Sequence, residues 1–189
     1  MIIYPCLANV VLVALLAGTT WHDIRRFRIP NALTYPALVC GVLLAATASI
    51  AVWYRPSVDP MVLSRVGLAG SLLGGLTGFA LMVPIYALTR RGAGDVKLAA
   101  AIGALVGPWA VVHTVIWTHF AAALFAAGVL VWHVGLGRLA CLGGRAVGHW
   151  VAPAYVLAPA GLPADILQRP IPLAGFFAIG SLLSLGGLS

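Results

Sequence analysis

The sequence predicts an all-α, polytopic membrane protein of about six transmembrane helices with its amino terminus outside, and three observations predict it. Of the 189 residues, 62% are hydrophobic and 8% are charged, where soluble domains carry about a quarter charged residues. Uncharged apolar stretches long enough to cross a hydrocarbon core of about 30 Å recur along the chain. The basic residues gather in alternate connections between those stretches. No polar stretch is long enough to fold separately, so residues 1–189 read as one membrane-embedded domain.

The first apolar run covers roughly Ile2 to Thr20 and ends at the polar segment Trp21-His22-Asp23-Ile24-Arg25-Arg26-Phe27-Arg28. It lacks the basic start of a cleavable signal peptide, because its positive cluster follows the apolar run. The second helix begins at Ile29-Pro30-Asn31, where proline is tolerated at a helix start, and continues to about Tyr54. A linker with Arg55, Asp59 and Arg65 leads to a third helix from about Val66 to Leu88. Its Gly67, Gly70, Gly74, Gly75 and Gly78 offer small-residue faces for close packing.

After Thr89-Arg90-Arg91-Gly92-Ala93-Gly94-Asp95-Val96-Lys97 the chain stays apolar to Leu139. At about 1.5 Å per residue that stretch is twice the bilayer core, so it must turn back. Gly107-Pro108 is the strongest breaker. A short fourth helix ends there, and a fifth covers about Trp109 to Val134. Residues Gly137 to Pro170 read as a Gly/Pro-interrupted connection whose middle, Trp150 to Leu162, suits the membrane interface. The last helix runs from about Ile171 to Leu188.

Charge tests this order. With the amino terminus outside, the cytoplasmic connections hold Arg25, Arg26, Arg28, Arg90, Arg91, Lys97, Arg138, Arg145 and Arg169, and the external ones only Arg55 and Arg65. That asymmetry follows the positive-inside rule. The net charge of +7 therefore needs no nucleic-acid partner, and no basic stretch is interleaved with aromatics as such a surface requires. Cys6, Cys40 and Cys141 show neither a CxxC pair nor metal-ligand spacing and read as packing residues.

The chain has no Glu and four Asp: Asp23, Asp59, Asp95 and Asp165. Asp59 and Asp165 fall in loops and read as solvated. Asp23 ends the first helix and Asp95 begins the fourth, which puts both at one cytoplasmic edge although 72 residues separate them. A carboxylate at the hydrocarbon border is costly and points to function. Each Asp alone is explained by an ion pair, Asp23 with Arg25 or Arg26 and Asp95 with Arg91 or Lys97. Together, at one depth and within Gly-x-Gly-Asp, they suit a pair sharing one proton. The ionised member activates a water and the protonated member polarises a carbonyl; either Asp fits either role. Gly92 and Gly94 permit unusual backbone and the close approach of a substrate strand. Lys97 reads as a side chain reaching the interface.

These segments resemble the type IV prepilin peptidases. Asp23, five residues, then Ile29-Pro30-Asn31 is similar to that family's first motif, and Gly92-Ala93-Gly94-Asp95-Val96-Lys97 to its Gly-x-Gly-Asp-x-Lys motif. Ile171-Pro172-Leu173-Ala174-Gly175-Phe176-Phe177-Ala178-Ile179-Gly180 resembles the final helix more loosely. The resemblance implies an aspartic endopeptidase with Asp23 and Asp95 catalytic and Gly92, Gly94, Lys97, Pro30 and Asn31 in support. It implies a prepilin or pseudopilin substrate, cut behind its short basic leader at the cytoplasmic face of a bacterial inner membrane, with no metal and no organic cofactor. Larger members carry a cytoplasmic insertion with paired cysteines and also methylate the product. The first cytoplasmic connection here is short and free of cysteine, like the compact, peptidase-only type of tight-adherence (Flp) pili.

Other chemistries fit less well. His113 and His119 do not share a helix face, so no metal pair forms. No Gly-x-Ser-x-Gly elbow is present. A proton-coupled transporter would favour inverted repeats and charges at mid-membrane, whereas both acidic segments here share one orientation and one edge. A non-catalytic factor assembling pilin helices on glycine-rich faces would not need both Asp. The partners expected are a pilin precursor and lipid; the oligomeric state is not readable.

Overall fold

The computed structural model describes residues 6–54, 59, 62–89, 92–151 and 172–186. Among the described residues it is all-helical: α1 (Leu7–Arg26), α2 (Asn31–Tyr54), α3 (Leu68–Thr89), α4 (Ala93–Val106), α5 (Pro108–Val134), α6 (Leu136–Val151) and α7 (Leu173–Leu185). Four of these, α1, α2, α3 and α5, are long and apolar enough to cross a membrane. Their outward positions stay apolar, as at Val10, Val13, Leu72, Leu76, Phe120 and Leu124, which is what a lipid-facing surface requires. The chain is a polytopic helical membrane protein. It divides into two compact units, one of Met1–Ala121 with Pro172–Ser189 and one of Ala122–Ile171.

Within the first unit, α1 buries Ala8, Leu12, Leu15, Leu16, Thr19 and Asp23. That spacing draws one inward stripe along the helix. The helix runs six residues past Thr20, where the apolar run ends, because Asp23 continues the inward stripe one turn beyond Thr19. Phe27 then closes it in the left-handed region (φ 47°), with its N–H donating to the Asp23 carbonyl at 2.8 Å.

α4 is the centre of this unit. From Asp95 to Leu105 only Lys97 escapes burial, and the helix packs most extensively on α3, then on α2 and α1. Small residues make this possible. A Cβ on Gly74 would strike the carbonyl of Gly103, one on Gly103 the carbonyl of Gly74, and one on Gly78 the carbonyl of Ala99. Backbones at that separation gain dispersion contacts and interhelical hydrogen bonds, the forces that associate helices where lipid removes the hydrophobic drive. Ser71 uses the closeness, donating from Oγ to the Ala104 carbonyl at 2.7 Å. Gly107, at φ 89°, ends α4, and Pro108 starts α5 at once.

α7 lies along α1. It also meets the first half of α5, where Thr118 Oγ1 donates to the Phe176 carbonyl at 3.3 Å and Ser184 Oγ to the Ala110 carbonyl at 3.0 Å. Cys6 is buried at the start of α1, whereas Cys40 and Cys141 are exposed, so only the first packs inside.

The second unit corrects one expectation. Leu136–Val151, read from its glycines as connection, is helical. Leu136, Leu139 and Ala140 recur at helical spacing opposite Arg138 and Arg145, and that two-faced pattern, typical of helices lying in an interface, outweighs the glycines. Beyond Val151 the expected interfacial stretch to Leu162 lies outside the described residues, as does Asp165.

Candidate active site

Two buried carboxyl groups lie on contacting helices of the first unit. Asp23 is 7% exposed and Asp95 is 8% exposed. α1 and α4 are in contact, and Asp95 lies within electrostatic reach of Asp23. Two acidic groups placed together in a protein with four in all carry an electrostatic cost that packing alone does not explain.

Two of the charges beside them in sequence, Arg25 and Lys97, make contacts of their own. The Arg25 guanidinium stacks on the Trp21 ring, 3.9 Å from its centroid, a favourable cation–π placement. Lys97 sends Nζ to Asn31 Oδ1 at 3.0 Å and sits 5.2 Å from the centre of the Tyr35 ring. Lys97 thus reaches a neighbouring helix instead of simply extending to the interface. It joins the two motifs, since Asn31 opens α2 and Lys97 lies two residues after Asp95.

Local backbone explains the residues around the pair. Gly92 caps α4 at φ 87°, its carbonyl accepting the Asp95 N–H at 2.9 Å. A Cβ on Gly92 would fall 2.6 Å from Asp95 Oδ2, so glycine is needed there for the left-handed turn and for room beside the carboxyl. Gly94 serves another purpose. A Cβ there would come 2.9 Å from Cβ of Ile29, so the first turn of α4 rests on the link between α1 and α2. The space at Gly94 is filled by the protein's own Ile29 and is not left for a substrate strand. Pro30 offers its carbonyl to the N–H groups of Leu33 (3.1 Å) and Thr34 (3.5 Å), fixing the entry of α2.

One participant is invisible in side-chain motifs. The backbone N–H of Ala174, in the first turn of α7, donates to Asp23 Oδ2 at 2.9 Å across 151 residues of sequence. The only available signal was Pro172, which precedes the helix and marks where its free amide groups begin. On α5, His119 Nδ1 donates to the Val115 carbonyl at 2.8 Å, a local bond within its own helix. Asp59 is exposed.

Comparison with known proteins adds one result. The family model described as the type IV leader peptidase family matches residues 10–127, a span that holds both Asp23 and Asp95. Neither the curated proteins nor the solved structures contain a match to the chain.

Proposed function

The chain belongs to the type IV leader peptidase family, and on that premise we propose that it is an aspartyl endopeptidase acting within the membrane. Asp23 and Asp95 would cut the short basic leader from a prepilin or pseudopilin at the cytoplasmic face of a bacterial inner membrane. The observation that carries this reading is the burial of both carboxyls on contacting helices, with Asp95 in reach of the charge on Asp23.

Two carboxyls in that relation hold one proton between them more easily than none. The ionised member takes a proton from a bound water as its oxygen attacks the scissile carbonyl carbon. The protonated member donates to the carbonyl oxygen. When the tetrahedral intermediate collapses, the C–N bond breaks and the leaving amine receives the proton just taken from water. No metal or organic cofactor enters these steps.

The supporting residues act through shape. Gly92 leaves room for the Asp95 carboxyl, and Gly94 seats α4 on Ile29. The bond from Lys97 to Asn31, with Pro30 setting the start of α2, holds the two motifs in register. Four residues, 27–30, join α1 to α2. That connection has no room for a paired-cysteine insertion, which favours a compact peptidase of the tight-adherence type, without methyltransferase activity, built as a single membrane domain over 1–189.

The test is co-expression of a tight-adherence prepilin with Asp23→Asn or Asp95→Asn, following leader removal by gel shift. Unprocessed prepilin is expected with both variants. Undiminished processing with either ends the proposal.

A further inference from the structure

The Asp pair is symmetric in chemistry but not in surroundings. Asp23 Oδ2 accepts the Ala174 N–H at 2.9 Å, and the bond is buried. α7 begins after Pro172 with no side-chain cap of its own, and one of its first-turn N–H groups, that of Ala174, is taken by a carboxyl supplied by α1. A backbone amide only donates, and the start of a helix carries partial positive charge. Both features favour an ionised acceptor. Among the described residues no such donor meets the Asp95 carboxyl, which is set against Gly92.

We propose that the first turn of α7, through the Ala174 amide, is the positioning element of Asp23. It holds Asp23 as the ionised member of the pair, so that Asp23 activates the water and Asp95 carries the proton that polarises the scissile carbonyl. The assignment rests on the aspartyl peptidase reading and deepens it. Ala174 lies outside residues 10–127, the span of the family match, so this role is read from the hydrogen bond alone.

The titratable groups on α1 and on the helices packed against it leave the asymmetry in place. On α1 itself these are His22, Arg25 and Arg26, with Arg25 stacked on Trp21. On α2 they are Tyr35, Cys40 and Tyr54, all exposed. On α4 they are Asp95 and Lys97, and the lysine bonds to Asn31. α7 carries no titratable side chain.

The experiment deletes the donor and leaves every side chain in place. Lactic acid replaces Ala174 in the full-length protein, turning one amide into an ester, and kcat/KM on a purified prepilin is measured against pH in lipid. Without the donor the base is protonated more readily, so the acid limb of the profile should move to higher pH by about one unit, a tenfold loss at a fixed acidic pH. The matching ester at Leu173 weakens the same helix start without touching this bond and should leave the limb in place. An unmoved limb in the Ala174 ester, or equal movement in both esters, overturns the assignment.

Should the Ala174 ester lose all activity, infrared spectra of Asp95→Asn decide. A lone Asp23 held ionised by α7 gives no protonated-carboxyl band at neutral pH, and such a band would refute the proposal. Failure of the peptidase reading itself looks different: Asp23→Asn would then still cleave.

Discussion

Replacing Gly92 by alanine should cripple cleavage while leaving most of the fold standing. Two effects follow from the geometry. At φ 87° an alanine sits in left-handed backbone, which costs about 1–2 kcal/mol. Its Cβ would also stand 2.6 Å from Asp95 Oδ2, whereas carbon and oxygen settle no closer than about 3.3 Å. The carboxyl must therefore retreat by roughly 0.7 Å, and a displacement of about 1 Å at a reacting group costs on the order of 100-fold in rate. The expected loss in kcat is thus between about 10-fold and 100-fold. Strain and collision can be separated, because asparagine tolerates left-handed backbone far better than alanine yet carries the same Cβ. Gly92→Asn should then be nearly as inactive as Gly92→Ala but unfold at a higher temperature. The assay is cleavage of a purified prepilin in lipid, with thermal unfolding of the same samples. If Gly92→Asn cleaves at the wild-type rate, the collision argument is wrong; if Gly92→Ala does too, the placement of Asp95 is wrong.

Further outcomes follow from the packing. Lys97→Met and Asn31→Ala should each slow cleavage about fivefold, the effect of losing roughly 1 kcal/mol from a charge-assisted bond at an exposed site. The double variant should be no worse than either single one, and multiplied losses in this cycle would show that Lys97 and Asn31 act separately. Gly74→Val should sharply reduce the yield of folded protein after detergent extraction, since its side chain meets the Gly103 backbone, whereas Gly128→Ala, with open space at its Cβ, should extract and melt like wild type.

Much of this was readable in the chain, for physical reasons that can be named. Lipid forces the backbone into helices, so apolar runs and their breakers marked α2, α3, α4 and α5 nearly to their ends, with Gly107-Pro108 separating α4 from α5. The scarcity of acidic residues singled out Asp23 and Asp95, which the fold buries on contacting helices. What escaped was carried by backbone or by weak periodicity. The Ala174 amide has no side-chain signature, and its bond to Asp23 joins segments that no local pattern connects. α6 was obscured because glycines at 137, 143, 144 and 148 look like breaks, although its apolar and basic positions alternate at helical spacing. Gly94 was legible as a glycine that matters, but which neighbour fills its space needed the position of Ile29.

The most direct test of the central claim, that Asp23 and Asp95 act as one unit, is kcat for Asp23→Asn, Asp95→Asn and the double variant on one purified prepilin. Groups that act together are not additive, so each single variant should be as inactive as the double. Substantial cleavage left in either single variant, or a double variant whose loss is the product of two partial ones, would contradict it.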